Sequence, residues 1–136
     1  MKRRKRTKGV FQLIRRLMEE PVKSLVFGKD FVSLVYDGTP LRDRGLVQKR
    51  QRHVGEWNRK KRKVYVDDDL NGLDRQAVIL HEAIEGYVVR RYGLDVDSQA
   101  HPIAEAIEKR WFKEKGGNWR SHQMRTYWVW KKNGCK

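Results

Sequence analysis

Residues 74–93, DRQAVILHEAIEGYVVRRYG, decide the fold. Apolar residues recur through them at i, i+3 and i+4, the period of a helix. Asp74 can cap the start and Gly93 can end it, so the spacing predicts a helix to about Tyr92. On a wheel of about 100° per residue, Val78, Val88, Val89 and Tyr92 form one stripe. His81 and Glu85 fall inside that stripe, while Arg75, Glu82, Gly86 and Arg90 represent the solvent side. A carboxylate among apolar neighbours is costly unless it is paired or bound to a cation.

The pattern repeats downstream. His101 and Glu105 again stand four apart, about one helical turn, in a helix expected over 99–114 and ended by Gly116-Gly117. Pro102 disfavours helical geometry at His101, so that helix can begin only there. His101, Glu105, Glu108 and Phe112 share a stripe beside Ala104 and Trp111. Any one of these polar residues alone reads as a packed core histidine or an ion-paired carboxylate. Their conjunction reads as a metal site carried on two helices. His81, Glu85 and His101 supply two imidazoles and one carboxylate, the ligand composition of a catalytic zinc class. Glu82 stands where a general base would take a proton from water at the open position. Glu105 is a further ligand candidate, and Glu108 would orient a histidine through its other ring nitrogen. The expected cofactor is one divalent ion, Zn²⁺ first; ligation by Glu105 would favour Mn²⁺ or Fe²⁺.

Outward from this centre, Val10, Phe11, Leu13, Ile14, Leu17 and Met18 predict an amphipathic helix at about 10–20, ended by Pro21. Leu25-Val26-Phe27 and Phe31 to Tyr36 flank Gly28-Lys29-Asp30 as a hairpin, and Asp37-Gly38-Thr39-Pro40 stops its second strand. Residues 41–63 read as a long polar loop punctuated by Gly45, Gly55 and Trp57. Residues 63–67 predict a short edge strand. Arg125 to Lys131 mixes basic and aromatic residues and reads as a final strand, with Trp128 and Trp130 on one face able to stack on bases. Asp67-Asp68-Asp69 suggests a hard-cation cluster but reads first as helix capping and solvation, and His122, an extra ligand or phosphate-contact candidate, reads first as a surface residue. The expected class is α+β, a small antiparallel sheet packed on two or three helices. Residues 1–8 form a disordered basic arm, 9–115 the domain, and 116–136 a basic, aromatic tail.

Residues 63–67 with the helix carrying Ala77-Val78-Ile79-Leu80-His81-Glu82-Ala83-Ile84-Glu85 resemble the strand and active helix of zincin-like metalloproteins. Small phage and archaeal members of this kind carry HExxE with a downstream His. The resemblance covers about residues 63–112 and implies a zincin-like fold with peptidase-type activity. Glu85 departs from the metallopeptidase pattern, which has its second His at that position.

Charge is segregated. Residues 1–63 carry 20 Lys and Arg against 6 Asp and Glu, residues 64–110 carry 5 against 10, and residues 111–136 carry 7 against 1. Basic flanks around an acidic centre predict nucleic acid or another polyanion as partner. The contacts would come from Lys2, Arg3, Arg4, Lys5, Arg6, Lys49, Arg50, Arg52, Arg59, Lys60, Lys61 and Arg62. No apolar run approaches the roughly 18 residues of a membrane span. Cys135 is the single cysteine, so no internal disulfide forms, and an intracellular, cytoplasmic protein is expected. Three functions stay open on the residues alone. They are a metal-dependent hydrolase, a non-enzymatic nucleic-acid-binding protein with a structural or degenerate metal site, and a metal-dependent nuclease.

Overall fold

The computed structural model describes residues 2–48, 54–58 and 62–133. They form an α+β domain with a five-stranded mixed sheet and four α-helices. Helix α1 spans Lys2–Glu19. It starts at Lys2, so the basic run expected as a disordered arm forms its first turns; Lys and Arg are good helix formers. Leu17 is fully buried, and Leu13, Ile14 and Met18 pack against the core, while Phe11 stays exposed. Arg110 donates to the carbonyls of Met18 (2.9 Å) and Glu20 (2.5 Å), satisfying acceptors that a helix end leaves open.

Strands β1 (Val22–Phe27) and β2 (Phe31–Tyr36) form the expected hairpin. The chain then reverses through Asp37 (φ 55°) and Gly38 (φ 66°) into β3 (Thr39–Gln48). Left-handed geometry at both turn residues suits a tight hairpin, and Asp and Gly are the residues that tolerate it. Asp37 also clamps the turn to the helices, accepting from Arg16 (2.7 Å), Tyr87 (2.9 Å) and Tyr92 (2.5 Å). Partial burial would raise its pKa, but these hydrogen bonds outweigh that and hold the carboxyl below its ordinary value. A depressed carboxylate stabilises above its unfolded pKa, and that stability is lost as pH falls through the folded value. Asp37→Asn keeps the turn geometry. It is expected to lower the urea midpoint at neutral pH, with the gap from wild type closing in acid. A gap that does not shrink with falling pH would contradict this role.

The polar stretch expected as a loop contains two strands, β3 and β4 (Gly55–Asn58). Among the described side chains of β3, Leu41 and Asp43 point inward and are buried, and the acid breaks the apolar alternation that would have revealed the strand. Asp43 is met by Arg62 (3.4 Å) and Arg90 (3.9 Å), and burial pushes its pKa up. Strand β5 (Lys63–Val66) pairs parallel to β3 and antiparallel to β4. The order is β1-β2-β3-β5-β4, so the sheet is mixed rather than antiparallel and β5 lies inside it. Strand β4 takes the edge expected of β5.

Helix α2 (Gly72–Tyr92) ends at Gly93 as the spacing predicts, but its N-cap is Asn71, and Asp74 lies in its first turn. Every residue from Ala77 to Val89 is buried, because the sheet covers one side of α2 and α3 covers another. Glu82 and Gly86 are therefore not on a solvent side. A Cβ at Gly55 would come within 2.5 Å of Val78 Cγ1 and 3.0 Å of Glu82 Cγ, so only glycine lets β4 lie this close to α2. After a single π-helical turn (Val96–Ala100), α3 runs from His101 to Glu114 with Pro102 in its first turn, and His101 is itself helical (φ −58°, ψ −48°), against the expectation drawn from Pro102.

The tail is helix α4 (Trp119–Lys132), not a strand. Asn118 caps it by accepting from the Ser121 N–H at 2.9 Å. On a helix, positions two apart point to different faces: Trp128 is exposed, while Trp130 is partly buried. Lys132 reaches Asp69 (2.9 Å), and Asn133 reaches Asp67. Asp67 also accepts from the Asp69 N–H (2.8 Å), so the acidic run shapes the approach to α2 and docks α4. No helix among the described residues is long and apolar enough to cross a membrane.

Candidate metal centre

The i, i+4 spacing on α2 brings His81 Nε2 to 3.2 Å from Glu85 Oε2. The first residue of α3 brings His101 Nδ1 to 3.3 Å from that same oxygen. The two rings lie 4.8 Å apart, and the three ligating atoms all fall within 4.8 Å of one another. One carboxylate oxygen facing two ring nitrogens calls for an N–H on each nitrogen or for a metal ion between them. Among the described residues, these three could hold a divalent ion.

Each of the three is oriented from its far side. His81 Nδ1 contacts Glu108 Oε1 at 2.8 Å, and Glu85 Oε1 accepts from Trp57 Nε1 at 2.9 Å. His101 Nε2 lies 3.3 Å from Glu105 Oε2. Glu105 thus meets the ring nitrogen remote from Glu85, on an exposed face, rather than joining the convergent atoms. Glu108 holds the position expected of an orienting carboxylate. Its second oxygen lies 2.5 Å from His122 Nε2. His122 Nδ1 lies 2.8 Å from Asp74 Oδ1, and Arg125 closes the chain on Asp74 at 2.5 and 2.9 Å. A ladder of alternating cation and carboxylate therefore runs from the centre to the surface.

Burial and pairing compete at every rung. Burial alone would lower the His81 pKa, but Glu108 and Glu85 outweigh it and hold it well above ordinary histidine. Burial would raise Glu85, yet its hydrogen bonds to His101 and His81 bring it to about 2. The Glu85 hydrogen bond raises His101 against partial burial. Burial disfavours the charged forms of His122 and Glu108, and their mutual hydrogen bond reverses both effects: His122 is raised and Glu108 lowered. Glu82 differs. It is 8% exposed, has no hydrogen-bond partner among the described residues, and has His81 Nε2 as its nearest basic atom at 3.9 Å. Burial pushes its pKa up to about 8.

These groups form the floor of a cleft of about 680 Å³ between β4, α2, α3 and α4. Its walls include Trp57, Trp119, Tyr127 and Trp130. Trp57, His122 and Asp74 are the contributors that sequence periodicity missed. His122 is 1% exposed, stacked on Phe112 at 4.4 Å between ring centroids, not a surface residue. Trp119, His122, Thr126 and Trp130 recur at helical spacing, a signal legible once the tail is read as a helix.

Lys2, Arg3, Arg4, Lys5 and Arg6 lie on the first turns of α1. Arg62 faces Asp43. Lys49, Arg50, Arg52, Arg59, Lys60 and Lys61 lie outside the described residues. Comparison with protein-family models, curated proteins and solved structures finds no match for this chain.

Proposed function

We propose that His81, Glu85 and His101 bind one divalent cation, and that the protein is a zincin-like, metal-dependent hydrolase of peptidase type. The observation that carries this is the approach of two imidazole nitrogens, at 3.2 and 3.3 Å, to one carboxylate oxygen at the floor of a large cleft. Two imidazoles and one carboxylate suit Zn²⁺, and three protein ligands leave a coordination position for water or substrate. A bound dication would polarise water and a substrate carbonyl. Glu82, buried beside His81 and open to the cleft, is the group to take the proton. In the metal-free chain its elevated pKa favours the acid form at neutral pH; positive charge in the centre favours the carboxylate. Glu108 would fix the His81 ring so that Nε2 faces the ion, the usual arrangement for a ligating histidine.

The basic flanks are the proposed contact for nucleic acid or another polyanion. A nuclease is the less favoured chemistry, because among the described residues no Lys or Arg lines the cleft to receive a phosphate.

The metal assignment is tested by stoichiometry. Wild-type protein is expected to take up one Zn²⁺ per chain in a titration followed by elemental analysis. His81→Ala is expected to take up none at the same free zinc. Equal uptake by both proteins would remove His81 from the centre and overturn the assignment.

A further inference from the structure

The chain holds 32 Lys and Arg against 17 Asp and Glu, yet the cleft inverts that balance. Glu56, Glu82, Glu85, Asp97, Glu105 and Glu108 line it, and no Lys or Arg does so among the described residues. Imidazoles partner Glu85 and Glu108. Three carboxylates stand at the exposed mouth: Glu56 on β4, Asp97 on the π-helical turn and Glu105 on α3. Glu105 contacts the exposed His101; Glu56 and Asp97 have no ion-pair partner among the described residues. Below them Glu82 is a buried carboxylate, open to the cleft and without a hydrogen bond among the described residues. One dication held by His81, Glu85 and His101 would leave Glu56 and Asp97 without a cationic partner among the described residues.

We infer that the cleft selects cationic peptide segments, seating Lys or Arg side chains against Glu56, Asp97 and Glu105 while aromatic walls pack on their aliphatic stems. A recess lined by one sign of charge focuses the field and concentrates ligands of opposite sign. Trp and Tyr faces attract ammonium and guanidinium groups, and they cover the methylene stems that carry those groups. The surface of α4 already uses this contact, with Lys131 Nζ 5.9 Å from the Tyr127 ring centroid and 5.5 Å from that of Trp128. Phosphate-rich polymers would be repelled from the carboxylates of the mouth. Cleavage of the bound peptide rests on the proposed hydrolase function; the charge preference rests on the mouth alone.

The test uses three blocked hexapeptides that differ only in a central Lys-Lys, Gln-Gln or Glu-Glu pair. Binding to the full chain is followed by tryptophan fluorescence at low ionic strength. The expected order is Lys-Lys, then Gln-Gln, then Glu-Glu, with Lys-Lys on the order of tenfold or more tighter than Glu-Glu, since exposed ion pairs contribute modestly each. Glu56→Gln with Asp97→Asn is expected to reduce that preference severalfold and leave zinc uptake unchanged. Raised salt is expected to weaken the Lys-Lys peptide most. Equal affinity for the three peptides, or an undiminished preference in the double variant, would overturn the inference. A preference that persists in a chain taking up no zinc would support the selectivity while removing the hydrolase reading.

Discussion

Glu82→Gln is expected to retain zinc while its hydrolytic turnover falls about 10²- to 10⁴-fold, the usual contribution of a positioned general base. Gln matches Glu in size, so the contact of α2 with Gly55 on β4 is preserved. It lacks the one property the proposed chemistry needs, a lone pair basic enough to hold a proton. Stability should not fall. Glu82 makes no hydrogen bond among the described residues, burial disfavours its charge, and Glu85 and Glu108 add like charge nearby. A neutral side chain there removes repulsion. Loss of turnover with unchanged or raised thermal stability therefore separates a chemical role from a structural one. The measurement is cleavage of a quenched-fluorescent peptide carrying Lys, alongside zinc content. In wild type the rate should rise with pH as Glu82 ionises, and the variant should lose that limb. Turnover equal to wild type would rule Glu82 out as the base.

Glu108→Ala is expected to destabilise the fold by about 3–5 kcal/mol, the range for removing one partner of a buried charged network. Glu108 is 7% exposed and holds two buried rings, His81 at 2.8 Å and His122 at 2.5 Å. Its removal leaves both imidazoles facing a cavity, with Asp74 and Arg125 the remaining link to the surface. The pH dependence follows from the directions of the shifts. His81 and His122 are raised, so their contribution is full below the ordinary histidine pKa and fades as pH rises through the folded values. Glu108 is lowered, so its contribution is full above the ordinary glutamate pKa and fades as pH falls through the folded value. The gap between wild type and variant should be widest between those ordinary values, roughly pH 5 to 6.5. Urea denaturation in the presence of a chelator, across that range, reads it directly. A gap under about 1 kcal/mol would show that the network is not the keystone its geometry implies. Zinc affinity should fall by about 10- to 100-fold in the same variant, as when an orienting partner of a ligating histidine is lost.

Legibility in the sequence followed the range of the signal. Helix α2 and the Gly28–Asp30 hairpin announce themselves through spacing and turn residues close in sequence. Strand β3 did not, because Asp43 occupies an inward position whose compensation comes from Arg62 and Arg90, far along the chain. Helix α4 was obscured because aromatic residues lie on both its buried and exposed sides, which blurs a 3.6-residue period. The same limit misplaced Glu82. A wheel shows where residues sit around one helix, not how many sides of that helix are covered.

By itself the sequence determined the α+β class, the helix that carries His81 and Glu85, and the candidacy of His101 as their partner. Those are consequences of backbone periodicity and of the chemistry of side chains one turn apart. Tertiary structure alone decided that His101 turns Nδ1 toward Glu85, that Trp57 holds the other oxygen, and that Glu108 joins His81 to His122. It also decided that Glu82 is buried and open to the cleft. These depend on the packing of β4, α3 and α4 around α2. No local pattern encodes the distance between groups on separate elements, because that distance is set by the whole core.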